Sequence, residues 1–120
     1  MNEYQFVLPY PPSVNNYWRR KGPQYFISKK GQEYRKIVQQ IIFDQDLDIY
    51  TNSRLRIKII ANAPDNRRRD IDNILKSLLD SLVHAGFAED DEQFDDIRVI
   101  RGEKVPGGRV GIKITELEAA

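Results

Sequence analysis

Residues 54–85 constrain the fold of this chain more tightly than any other stretch. Leu55, Ile57 and Ile59 alternate with Arg54, Arg56 and Lys58. A period of two places these sets on opposite faces of an extended strand, one half-buried and one basic. Residues 63–69 follow as a polar turn carrying Pro64. The period then changes. Over about residues 71–85, Ile71, Ile74, Leu75, Leu78, Leu79, Leu82 and Val83 share one face of a helix, and Gly86 is placed to end it.

The other elements arrange themselves around this unit. Residues 4–8 read as a short strand, stopped by Pro9, Pro11 and Pro12. Residues 9–28 read as a long irregular segment in which Asn15, Asn16, Tyr17 and Trp18 run into Arg19, Arg20 and Lys21. A long loop mixing aromatic rings with cations points to function. Ser28 is the N-cap of a second helix over about 29–45, whose apolar positions are Tyr34, Ile37, Val38, Ile41 and Ile42. Residues 96–103 and 109–115 read as strands joined in a hairpin by Pro106, Gly107 and Gly108. The expected fold is α+β, in the order β-α-β-α-β-β: a mixed sheet with two main helices. The 120 residues suffice for one core, so residues 1–120 form a single domain.

Charge is distributed unevenly. The net charge is only +1, which excludes a protein that coats a polyanion by bulk charge. Yet residues 1–43 carry Arg19, Arg20, Lys21, Lys29, Lys30, Arg35 and Lys36 against Glu3 and Glu33 alone. Residues 88–96 carry Glu89, Asp90, Asp91, Glu92, Asp95 and Asp96 and no base. A basic region beside a compact acidic one suits a phosphate-binding surface with a cation site in it.

The chain has no cysteine and one histidine, His84. Disulfides, thiolate zinc sites, cysteine nucleophiles and a multi-histidine metal site within one chain are therefore excluded. Any metal is held mainly by oxygen, which selects Mg²⁺ or Mn²⁺, with Ca²⁺ as a non-catalytic competitor. The first residues, Met-Asn-Glu-Tyr-Gln, have no leader pattern, and no segment reaches transmembrane length. The protein is expected to stay in the compartment where it is made.

The densest chemistry lies where turn meets helix. Arg67, Arg68 and Arg69 run into Asp70 and Asp72, with Asn73 next and Lys76 one turn on. Guanidinium groups suit bidentate phosphate contact. Carboxylates repel phosphate unless a cation lies between. Asp70 and Asp72 can converge on such a cation at a helix start, with Asp91 and Asp90 as further ligands. The bland alternative makes Asp70 an N-cap and Asp72 a first-turn acid. A helix of residues 71–85 is roughly 22 Å long at about 1.5 Å per residue, so residues 88–94 must run back along it to bring Asp91 near Asp70. Lys76 either pairs with Asp72 one turn away or stabilises charge on a phosphate. His84 suits dipole complementation at a helix end better than chemistry. Asp44 to Asp48 begins like a calcium loop but has Ile49 and Leu55 where the loop needs glycine and glutamate.

Taken together, these blocks resemble the RusA family of Holliday-junction resolvases. Leu8-Pro9-Tyr10-Pro11-Pro12-Ser13 followed by Asn15 and Asn16 is similar to the family's N-terminal motif, and Ser28 to Arg35 to its first helix start. Arg68-Arg69-Asp70-Ile71-Asp72-Asn73 with Lys76 matches its most specific block, and Gly86-Phe87 followed by Asp90, Asp91 and Gln93 the next. The resemblance runs nearly end to end. It implies a homodimeric, Mg²⁺-dependent endonuclease, with Mn²⁺ able to substitute, that nicks four-way DNA junctions symmetrically in recombination and repair. It implies Asp70, Asp72 and Asp91 as catalytic metal ligands with Asp90 beside them, and basic roles for Arg69 and Lys76. The expected DNA-binding set is Arg67, Arg68, Arg69, Asn73, Asn15, Asn16, Arg19 and Arg20, with Tyr17 and Trp18 either stacking on unpaired bases or packing internally. The resemblance implies the cytoplasm of a bacterial cell, as a host or prophage product, with no organic cofactor and no membrane. Its rivals are a non-catalytic DNA-binding protein, a nuclease for another branched or duplex substrate, and a structural domain whose acids merely cap and solvate.

Overall fold

The computed structural model describes residues 2–117. β1 (Glu3–Leu8), β4 (Leu55–Asn62), β5 (Phe94–Arg101) and β6 (Arg109–Glu116) form one sheet in the order β1-β6-β4-β5. The β4–β5 pair is parallel and the other two pairs are antiparallel, so the sheet is mixed as expected. The alternation in β4 does what its period requires. Leu55, Ile57, Ile59 and Ala61 are buried, and Arg56 and Lys58 are exposed.

α2 (Lys29–Asp44) and α3 (Leu75–His84) cover the apolar face of the sheet. Val38 and Ile42 of α2 and Leu78 and Leu82 of α3 are fully buried against Ile57, Ile59 and Ile114. Ser28 caps α2 through its hydroxyl, which accepts from the Gly31 amide at 3.0 Å. Gly86, at φ +89°, ends α3. Its amide donates to the Val83 carbonyl at 3.0 Å and the Phe87 amide to that of Leu82 at 3.1 Å, closing both bonds of a Schellman turn.

The structure corrects three expectations. The helix read over residues 71–85 is divided, with a 3₁₀ turn at Ile71–Ile74 leading into α3. The glycine turn at residues 106–108 is present, but it does not join a hairpin. β6 inserts between β1 and β4, while β5 lies at the sheet edge beside β4. A hairpin would have given β5 the edge of β6 that pairs with β4, where Ile57 lies opposite Ile114 and Ile59 opposite Ile112. Finally, residues 9–28 are not irregular throughout. They contain a short helix, α1 (Val14–Tyr17), and an antiparallel pair, β2 (Trp18–Lys21) with β3 (Gln24–Ile27).

The proline segment before α1 is clamped from both helices. The Tyr34 hydroxyl donates to the Pro9 carbonyl at 2.7 Å, and that of Ser77 to the Pro12 carbonyl at 2.6 Å. The β2–β3 hairpin is therefore carried on a tethered base, next to the start of α3.

Candidate active site

Asp70 sits at the N-cap position of the 3₁₀ turn, but its side chain makes no capping hydrogen bond. Its carboxylate is thus not used up by the bland role. It lines a cleft of about 670 Å³ with Arg67, Arg68, Arg69, Asn16 and Asn73. Tyr10, Pro11 and Pro12 line it as well.

The arginines are differently held. Arg69 donates to the Asp65 carboxylate at 2.7 Å and lies over the Tyr10 ring, 5.9 Å from its centroid. Arg67 pairs with the same carboxylate. These contacts, the Arg69 bond foremost, hold the Asp65 carboxyl well below the usual carboxylate range. Arg101 of β5 donates to the Arg69 carbonyl at 2.9 Å, tying the loop to the sheet edge. Arg68 is exposed and has no side-chain hydrogen bond or ion pair among the described residues.

The return of the acidic segment is solved locally. After the Schellman turn the chain runs beside residues 50–51: Tyr50 donates to the Gly86 carbonyl and Thr51 to that of Phe87. Gln93 then anchors it. Its buried side-chain amide donates to the carbonyls of Thr51 and Ser53 at 2.8 and 2.9 Å, and its side-chain oxygen accepts from the Asp90 amide at 2.8 Å. Asp90 caps the second 3₁₀ turn (Asp91–Gln93), accepting from the Glu92 amide at 3.0 Å. That backbone bond is the main cause of its lowered pKa, with Asp91 and Lys76 adding to it. Asp91 is turned toward α3, where its carboxylate meets the Lys76 ammonium at 3.5 Å. Lys76 therefore pairs across to Asp91 and not along its helix to Asp72. Asp72 lies exposed in the turn between Asp70 and Lys76.

The donor chemistry fits a hard cation, since every candidate is a solvent-accessible carboxylate. The arrangement is open, however. Among the described residues, no three acidic or histidine side chains converge closely enough to hold a metal. Asp70 and the Lys76–Asp91 pair are presented as separate parts of one surface.

Asn15, Arg19 and Arg20 gather around a second cleft, which Lys76 also lines. Tyr17 is fully buried and takes no part in it. Its hydroxyl bonds Asp80 and accepts from Arg35, so its alternative role as a base-stacking ring is overturned. Trp18 is half-buried in the cleft wall. Sequence reasoning missed the anchoring work of Gln93, although the spacing Asp90-x-x-Gln93 is a capping-box signal. It also missed Thr51 and Ser53, for which no local signal exists.

A guanidinium-lined cleft holding Asp70, beside a surface that carries the Lys76–Asp91 pair, suits a phosphodiester backbone. The chain matches the family described as endodeoxyribonuclease RusA over residues 9–115. It is 80% identical over 119 residues to a crossover junction endodeoxyribonuclease of Enterobacteria phage HK97, covering 99% of each chain. It is 44% identical to that of Enterobacteria phage 82 and 43% identical to that of Escherichia coli strain K12, over 98% of each chain. The protein belongs to the RusA family of endodeoxyribonucleases.

Proposed function

We propose that this protein is a Mg²⁺-dependent endonuclease that resolves four-way DNA junctions by paired, symmetric nicks, acting as a homodimer in the bacterial cytoplasm. One observation carries the reading: the uncommitted Asp70 carboxylate stands in a cleft walled by arginines, with Lys76 and Asp91 paired on the adjoining helix face. The names of the relatives, crossover junction endodeoxyribonucleases, supply the substrate class.

Asp70, Asp72 and Asp91 are the carboxylates that would hold the cation, and they would have to draw closer than the open arrangement here to do so; bound, it would supply Lewis-acid stabilisation of the phosphate and a water of lowered pKa. Asp90 is left to its cap. Arg67, Arg68 and Arg69 bind and orient the backbone around the scissile phosphate. Lys76 stabilises charge on the phosphate oxygens. Asn15, Asn16, Asn73, Arg19 and Arg20 extend the contact surface. A junction has approximate two-fold symmetry, so two matched nicks require two sites related by a two-fold axis, which a C2 dimer provides.

The test is cleavage of a synthetic four-way junction with and without Mg²⁺, wild type beside Asp70→Asn. Paired symmetric nicks that require the metal and vanish in the variant are expected. Tight binding without cutting by wild type, in either Mg²⁺ or Mn²⁺, would reassign the acids to structural duty.

A further inference from the structure

We infer that the cleft between Trp18 and Tyr25 takes an unstacked nucleobase from the branch point of the DNA, making the β2–β3 hairpin the element that selects junctions over duplex. The inference rests on the proposed nuclease reading and deepens it. The cleft, of about 580 Å³, is built by the hairpin and closed by Asn15 and Lys76. This is within the size range of small-ligand sites.

The strand register puts the right groups together. Arg20 pairs with Tyr25 and Trp18 with Ile27, so Trp18, Arg20 and Tyr25 share one face of the hairpin. The Arg20 guanidinium lies 5.5 Å from the centre of the Tyr25 ring, and its Nε is fixed by a 2.7 Å bond to the Gly22 carbonyl. Tyr25 is nonetheless 67% exposed. Phosphate contact alone needs only the cations of this hairpin. Aromatic faces interleaved with cations are the pattern that binds bases of unpaired strands. Asn15 adds an amide able to donate to and accept from a base edge.

Location identifies the base. Lys76 lines this cleft and also meets Asp91, so a base seated here belongs to a nucleotide close to the phosphate at the acidic site. A paired base inside a duplex must leave its stack to reach the cleft, and this costs least where pairing is already broken. A branch point meets that condition and continuous duplex does not. Selection then precedes cutting.

The experiment places 5-iododeoxyuridine at successive positions around the branch point of a synthetic junction. The complex with the full chain is irradiated in Ca²⁺, and the adducts are mapped by mass spectrometry. Adducts to Trp18 or Tyr25 from a position at the branch point are expected, at least about tenfold above the same sequence in linear duplex, the scale of one base–aromatic stack. Tyr25→Ala, at a largely exposed position, should lower the ratio of junction to duplex affinity by about tenfold, and Tyr25→Phe should restore it. Equal adduct yields from junction and duplex, no hairpin adduct, or an unchanged affinity ratio in Tyr25→Ala would overturn the inference. If wild type cuts junctions while one of these results holds, only the nucleobase site falls. If wild type neither binds nor cuts junctions, the nuclease reading falls with it.

Discussion

Arg35 stands where three helices meet. From α2 it donates to the Asp80 carboxylate on α3 and to the Tyr17 hydroxyl on α1. Burial foremost, then Asp80, pushes the Tyr17 hydroxyl above its ordinary pKa, so it stays a neutral donor. Asp80 and Arg35 are each about four-fifths buried. Asp80→Ala strands a guanidinium and a phenol together, and a loss of about 2 kcal/mol in urea unfolding is expected. Glu116 gives a pH signature of its own. Its carboxylate accepts from Thr51 at 2.5 Å and from Asn2 and Tyr4 at 3.0 Å, the Thr51 bond doing most to depress its pKa. A depressed carboxyl contributes stability that is full above its ordinary pKa of 4.5 and lost as pH falls through the lower folded value. Wild type should therefore exceed Glu116→Gln in urea midpoint at pH 6, and the difference should shrink steadily below about pH 4. A constant difference from pH 6 to pH 3 would show that the charge contributes nothing.

At the scale of elements, the turn that returns Asp91 to α3 depends on backbone conformation and on one amide side chain. A Cβ on Gly86 would sit 2.7 Å from the Tyr50 ring as well as in the left-handed region. Gly86→Ala should cost about 1–3 kcal/mol, and Tyr50→Ala should relieve only the part due to contact. Gln93→Ala leaves the carbonyls of Thr51 and Ser53 and the Asp90 amide without their side-chain partner. Junction cleavage should fall by roughly 10–100-fold through displacement of Asp91, with duplex binding retained, because binding is carried mainly by the arginines. Normal cleavage by that variant would remove Gln93 from the machinery. These elements also mark how far the sequence was legible. β4, α2 and α3 announced themselves because each holds an apolar set at one clear period. The hairpin did not, because its strands are four residues each, Trp-Arg-Arg-Lys and Gln-Tyr-Phe-Ile, and neither alternates apolar with polar residues. The position of β6 between β1 and β4 was illegible for a different reason. Strand order depends on partners about 50 and 105 residues away, and the glycine turn before β6 suits a hairpin or a longer return equally well. At the site, Asp70, Asp72, Lys76 and Asp91 were visible as residue types at suggestive spacing. The capping box that separates Asp90 from Asp91 is local and was legible in the spacing Asp90-x-x-Gln93, whereas the burial that removes Tyr17 arises only from tertiary contact.

For the whole molecule, the question is how a chain with principal extents of 40 × 37 × 28 Å handles two strands at once. Among the described residues, Asp70 stands with arginines in one cleft, and a single copy can hold one scissile phosphate there. Paired cutting in a single encounter would need a second copy, and its presence should be measurable through counterions. Each phosphate neutralised by a cation contributes about 0.9 to the slope of log K against log salt. Arg68 suits the measurement because its guanidinium, unlike those of Arg67 and Arg69, is not committed to Asp65. Its removal should leave the loop intact. Wild-type junction affinity should fall steeply between 50 and 200 mM salt, by on the order of 10³-fold or more if about six or more phosphates are contacted. Arg68→Ala should flatten the slope by about 0.9 if one copy binds and by about 1.8 if a two-fold dimer does. Sedimentation of the same complex checks the stoichiometry. An unchanged slope would mean that Arg68 does not touch phosphate. A change near 0.9 with one protein per junction would leave paired nicking to two successive encounters rather than to one dimer.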